Sequence, residues 1–239
     1  MSANHEPANK QAPVFTPRLL VQLLVFVIIV PFLPLLISRQ WDWAAAWIYA
    51  LVSISGFVIS RWLAARRHPD LLAERARFLD QEDAKSWDKI MAPVVGLGSA
   101  LVPLAAGLDA LWGTSHPFGL TAEILALFAL IAGYALGTYA LMENRFFSGM
   151  VRIQHERGHQ VVSSGPYHWV RHPGYAGALL NYLATPIFLN TPWAFLPSLF
   201  LSVVLIIRTN LEDKTLQEEL TGYAEYAKEV RYRLLPGIW

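Results

Sequence analysis

The chain has no cysteine, which excludes disulfides, thiolate nucleophiles and cysteine-ligated metals. Charge is scarce as well: Asp, Glu, Lys and Arg make up 15% of the 239 residues and nearly cancel, to a net +1. That leaves no concentrated basic face for a nucleic-acid backbone. The first apolar run is too long for the core of a signal peptide and lacks a small-residue cleavage pattern. Against these absences stand a hydrophobic content of 54% and a mean hydropathy of +0.35. This is the composition of a polytopic membrane protein. The expected fold is all-α, a membrane helical bundle with about six transmembrane helices.

Met1 to Thr16 is polar and reads as a disordered cytoplasmic tail. Leu19 to Ile37 is nearly long enough to cross the hydrocarbon core, with Pro31 and Pro34 placed to bend or end it. Trp41, Trp43 and Trp47 open a second span, their indoles suited to the headgroup boundary. Arg61 to Lys89 carries seven basic residues, with Leu71 and Leu72 at helical spacing from Phe78 and Leu79. It reads either as an amphipathic surface helix or as a solvated connector. Ile90 to Leu108 and Ile124 to Met142 are further spans, the latter with Gly133 and Gly137 on a face suited to close helix contact. Pro173 to Ile207 is 35 residues without a charge. One helix of that length would measure roughly 52 Å, so two short spans broken at Asn190-Thr191-Pro192 are expected instead. Leu211 to Val230 is polar, with an apolar stripe at Leu216, Leu220, Tyr223 and Val230 and a break at Gly222. The chain is thus divided into the tail, a four-span region over 17–142, and a core over 143–239 made of a loop, a helical hairpin and a cytoplasmic C-terminal helix. With both termini in the cytoplasm, 18 of the 19 Lys and Arg fall on the inside, Arg39 being the exception.

One stretch fits neither a span nor a core: Gly158 to Gly177, GHQVVSSGPYHWVRHPGYAG. Its glycines and prolines mark turns around an aromatic, basic centre. The hairpin brings its Tyr167, Arg171, His172 and Tyr175 to the same membrane face as Arg208, Glu212 and Asp213. Taken singly, each has a plainer role: Arg171 and Arg208 as lipid-phosphate anchors, Glu212 as the i,i+4 partner of Arg208, His172-Pro173 as a helix-entry turn. Together they place fixed cations and carboxylates beside lipid, which suits a zwitterionic water-soluble cofactor and a lipophilic partner. His155, His159, His168 and His172 form two i,i+4 pairs, but Gly158, Gly165 and Pro166 interrupt the segment. No metal site is expected there.

The same motif, followed about thirty residues later by RTNLEDKTLQEELTGYAEYAKEVRYRLLP, resembles the isoprenylcysteine carboxyl methyltransferase family, itself related to the membrane phospholipid methyltransferases. The resemblance covers about Asn144 to the C-terminus and rests on GPY, RHPxYxG, the Arg with an acidic pair and the Tyr-x-x-Tyr. HPDLLAERARF and KSWDK add a weaker likeness to bacterial members. It implies a multi-span enzyme using S-adenosylmethionine at the cytoplasmic face to methylate a lipophilic or lipidated substrate that enters from the bilayer. Carried over by residue, cofactor contacts fall on His159, Val161, Val162, Tyr167, Arg171, His172, Pro173, Tyr175, Glu212 and Asp213. Asp213 stands where the family usually has a second glutamate. Arg208 takes the place of the substrate-side catalytic arginine. Glu212 is the second catalytic candidate, as proton acceptor were the substrate an amine. Three readings follow: a methyltransferase acting on a carboxylate or on a phospholipid amine, an NADPH-dependent reductase resembling the sterol reductases, and a non-enzymatic protein of the same fold.

Overall fold

The computed structural model describes residues 21, 23–76, 81–113 and 117–239. The tail expected at residues 1–16, and the places of Phe78 and Leu79, lie outside the described residues. Within them every regular element is helical. The described parts of the six apolar stretches of the sequence each form helix. Four are long and apolar enough to cross a membrane: Ala44–Arg67, Asp88–Leu111, Leu120–Glu143 and Pro192–Glu219. The other two, Leu24–Ser38 and Pro173–Phe188, are shorter.

Helix α1 (Leu24–Ser38) starts with a π-wound stretch, Leu24–Ile29, and keeps Pro34 within it before ending at a left-handed Arg39. Helix α2 (Ala44–Arg67) outlasts its apolar stretch because its arginines remain useful. Arg61 lies over Phe57 at 4.7 Å and Arg66 over Trp62 at 4.0 Å, the Arg66 charge extending outward while its stem stays on apolar surface. Helix α3 (Pro69–Ala76) begins at its proline, as the missing N–H allows. Its Leu71 is fully buried against Ala64 and Leu141, so α3 is docked on the bundle.

The third apolar stretch forms α4 (Asp88–Gly98) and α5 (Leu101–Leu111), interrupted at Ser99-Ala100. The Ser99 hydroxyl donates to the Gly96 carbonyl at 2.6 Å, offsetting backbone bonding lost at the break. Helix α6 (Leu120–Glu143) is followed by the Asn144–His172 loop, then α7 (Pro173–Phe188), a turn, α8 (Phe195–Glu219) and α9 (Tyr223–Glu229). The break between α7 and α8 falls at Asn190, whose positive φ makes the reversal. Its side chain bonds Phe118 and Glu123, pinning the turn to the start of α6.

The closest pair is α6 with α7, and the reason is the absence of side chains. A Cβ on Gly177 would stand 2.5 Å from the Gly133 carbonyl and 3.1 Å from the Gly137 nitrogen. Leu35, Val102, Leu130, Leu189 and Leu201 fill the centre of the bundle. Large apolar side chains such as Leu51, Val58, Leu125, Phe128, Leu196 and Phe200 face outward, as a lipid-exposed surface requires. A smaller cluster of Ile153, Leu220, Tyr223, Tyr226 and Val230 joins the loop to the end of α8 and to α9.

Candidate active site

The Asn144–His172 loop is held at its far end by the C-terminus. Arg171 and His172 donate their backbone N–H groups to Tyr232 and Arg233 carbonyls, both at 2.9 Å. Pro173, at the first position of α7, then turns the chain into the bundle. Because α7 and α8 are antiparallel neighbours, Tyr175 of α7 reaches Glu212 of α8, and its hydroxyl donates to Glu212 Oε2 at 2.5 Å.

Two arginine–carboxylate pairs frame this contact. Arg171 turns its Nε and Nη2 onto Asp213 at 2.7 and 2.9 Å, and gives Nη1 to the Val230 and Arg231 carbonyls. Asp213 is wholly buried and also accepts from Arg233, Gln217 and Tyr223, with the His172 ring at 3.3 Å. Such saturation is what a buried carboxylate demands. Arg208 likewise turns Nε and Nη2 onto Asp88 at 2.6 and 2.8 Å, and Nη2 also reaches the Gly149 carbonyl. Asp88 has no exposed surface and accepts the Val151 N–H as well. The Arg208 guanidinium stands 5.3 Å from the Tyr175 ring centre, and the His172 ring stacks parallel to that ring.

These groups border one cavity. Of the sequence candidates, His159, Val161, Val162, Tyr167, Arg171, His172, Tyr175, Arg208 and Glu212 line it. Pro173 and Asp213 stand behind the wall. Phe146, Phe147, Tyr223 and Tyr226 supply much of the remaining surface. Glu212 differs from its neighbours: among the described residues it makes the Tyr175 hydrogen bond and no ion pair. Among the described residues the backbone N–H groups of Gln160, Val161 and Val162 find no partner. His159 packs on Phe146 at 4.6 Å, and burial, with Arg157 and Arg152 nearby, pushes its pKa down to about 4. Among the described residues no cluster of His, Asp and Glu is arranged to hold a metal.

Sequence reasoning did not find Asp88. It lies in KSWDK, quoted only for a family likeness, and a single aspartate at a span boundary carries no periodic signal. Its role exists because α4 and α8 pack side by side. The edge of Arg208 that the sequence reading offered to a substrate is thereby taken, and among the described residues Nη1 makes no hydrogen bond.

The stretch that builds the cavity is also the stretch with known relatives. Residues 124–218 match the model of the isoprenylcysteine carboxyl methyltransferase (ICMT) family. The likeness read from the loop and α8 motifs is thus borne out over this region. A protein-S-isoprenylcysteine O-methyltransferase from Saccharomyces cerevisiae is 30% identical over 119 residues, 45% of this chain and 46% of the relative. A second, from Arabidopsis thaliana, is 34% identical over 87 residues, covering 36% and 40%. A delta(14)-sterol reductase from Mus musculus is 29% identical over 154 residues, 59% of this chain and 37% of the relative. The chain therefore spans less than half the length of each of these ICMT-family and reductase relatives.

Proposed function

We propose that the protein is an integral membrane methyltransferase using S-adenosylmethionine and a lipophilic carboxylate acceptor that enters from the bilayer. The observation that carries this reading is Glu212: a carboxylate without an ion pair in the wall of an aromatic-lined cavity, beside apolar helices. It suits a cationic ligand group, and S-adenosylmethionine has an ammonium and a sulfonium. When bound, that cofactor supplies a methyl group already activated for transfer, so the chain's task is alignment.

The residues divide by position. Tyr175 orients Glu212 towards the ammonium. The amides of Gln160, Val161 and Val162, with the Arg171 Nη2 hydrogen not used by Asp213, meet the cofactor's carboxylate. His159, neutral at physiological pH, adds no repelling charge. Tyr167 and His172 complete the wall, while Pro173 and Asp213 act from behind it, one by starting α7 and the other by fixing Arg171. The cavity measures about 80 Å³. A nucleoside-sized ligand therefore needs the wall to open, and Val161, which packs against the cluster formed by Ile153, Leu220, Tyr223, Tyr226 and Val230, belongs to the part that moves. On the membrane side, Arg208 holds the acceptor through Nη1, and Asp88 fixes the direction of that donor. A carboxylate acceptor is ionised at neutral pH and needs no base. An amine would have to lose a proton, and Glu212 is the group placed to take it.

The mouse reductase favours a second reading, an NADPH-dependent reductase. The 2′-phosphate of that cofactor calls for uncommitted cations. The arginines of the cavity wall, Arg152, Arg171 and Arg208, are each already paired with carboxylates. The domain division at residue 142 and the placement of both termini and the site at the cytoplasmic face belong to the same proposal.

The test is binding of S-adenosylmethionine against NADPH to the purified full chain in lipid nanodiscs, followed by methyl transfer to a prenylated cysteine. Saturable binding of the first alone, with methyl ester formed, is expected. NADPH binding in its place overturns the reading.

A further inference from the structure

A second cavity, of about 200 Å³, lies in the apolar part of the bundle between α1, α2, the α4–α5 break, α6 and α7. Its walls are mainly apolar: Phe26, Val27, Val30, Phe57, Val102 and Leu130. Ser53, Leu130 and Asn181 each fall near the middle of their helices, which places the cavity at mid-depth. Into this setting project groups that an apolar space does not need.

Asn181 lines the cavity, and among the described residues its amide makes no hydrogen bond. Its Oδ1 is fully buried against Gly133. Turning the amide about exchanges oxygen and nitrogen, and either way one end is left towards the cavity with unmet bonding capacity. Ser53 is 7% exposed, and its buried hydroxyl has no hydrogen bond of ordinary geometry, though Tyr49 and Tyr134 stand beside it. Polar groups left unmet at this depth are costly, because hydrocarbon offers no partner. One wall of the cavity is the π-wound stretch of α1, through Phe26 and Val27. Such windings occur frequently at functional sites. Beyond that wall, Leu24 and Ile28 of α1 face outward.

We propose that this cavity binds the polar end of an uncharged lipophilic alcohol. The chemistry narrows the ligand in three steps. No Asp, Glu, Lys or Arg lines the space, so a charged group would be unpaired. A bare hydrocarbon tail would leave the Asn181 amide unmet. A hydroxyl both donates and accepts, so it satisfies the amide in either orientation, whereas a ketone only accepts. The volume admits the hydroxyl with a ring or short chain, since an engineered cavity of about 150 Å³ holds benzene. The site is separate from the one lined by Tyr175 and Glu212, and its occupancy does not depend on methyl transfer.

The experiment measures thermal unfolding by tryptophan fluorescence, with the full chain in phosphatidylcholine nanodiscs titrated with 1-octanol, 2-octanone or octane. Saturable stabilisation by 1-octanol is expected, with 2-octanone weaker and octane without saturable effect. Asn181→Leu should raise the half-saturating 1-octanol concentration about tenfold, the order of one buried hydrogen bond. Tyr134→Phe and Ser53→Ala, which preserve shape, should raise it severalfold and carry the test if the Asn181 variant does not fold. S-adenosylmethionine affinity, measured on the same samples, should stay at the wild-type value. Octane matching 1-octanol means a tail pocket only. Absence of saturation means a space that holds only water. A response identical in wild type and variants means an effect on the bilayer. Each of these overturns the proposal.

Discussion

Arg208 has two duties, and substitution separates them. It neutralises Asp88, which has no exposed surface, and in the proposed function its Nη1 meets the acceptor. Arg208→Ala strands a buried carboxylate, so a stability loss of about 3–5 kcal/mol is expected on top of the catalytic one. Per folded molecule, methyl transfer should fall roughly ten- to a hundredfold, the value of one charge-assisted contact made in the transition state. Replacing Asp88 by Leu together with Arg208 by Met should restore most of the stability and none of the activity. Unfolding temperature, initial rate and S-adenosylmethionine affinity check all three points. Affinity and rate falling in parallel would move Arg208 to the cofactor end. His159 gives a pH test. Its folded-state pKa, about 4, lies below the ordinary 6.5, so the folded protein favours the neutral ring. The stability this brings is complete above pH 6.5 and is lost as pH falls towards 4. Acidification over that window should lower the unfolding temperature, and His159→Gln should flatten the slope.

Among the helices, the α6–α7 contact is the one that fixes the site, because it sets where Tyr175 stands along α7. Gly177→Ala puts a methyl group 2.5 Å from the Gly133 carbonyl, a backbone atom that cannot step aside alone. A cost of about 1–3 kcal/mol is expected from the forced separation. Gly137→Ala is the control: an added Cβ there meets nothing within 4 Å. As a helix-interior glycine it should gain about 0.5–1 kcal/mol. Equal unfolding temperatures for the two variants would show that the close approach does not hold the helices together. The tight face was legible in Gly133, whereas Gly137, read with it, leaves room for a Cβ, and the partner Gly177 was not legible. The facing residue lies on another helix, beyond any periodicity within one segment.

Across the whole molecule, the one-sided Lys and Arg distribution predicts that reporter fusions at residue 155 and at the C-terminus report cytoplasm, and a fusion at residue 190 reports the opposite side. The fold makes this test sharp. Asn190 sits in the turn between α7 and α8, a full helix away from Arg171 and Arg208. A cytoplasmic signal at 190 would break the hairpin and the proposed orientation of the site with it.

Hydropathy and charge sufficed for the helical class, the hairpin break at Asn190 and the loop that carries the site. These are properties of single segments: an apolar stretch must satisfy its own backbone in lipid, and Pro and Gly end helices locally. The loop motif and the α8 motif also pointed to each other, since antiparallel neighbours share an end. What each charge does there was decided only by packing. Arg171 and Arg208 look alike in the sequence, yet each has its fork closed by a buried aspartate, from α8 in one case and from α4 in the other. Glu212, one residue before Asp213, makes no ion pair among the described residues and stands in the cavity wall, held by the Tyr175 hydroxyl. Adjacent residues on a helix point about 100° apart, so one meets the arginine behind the wall and the other the open space. Which carboxylate is spent and which is available is a matter of neighbours, and neighbours across helices are set by the tertiary structure alone.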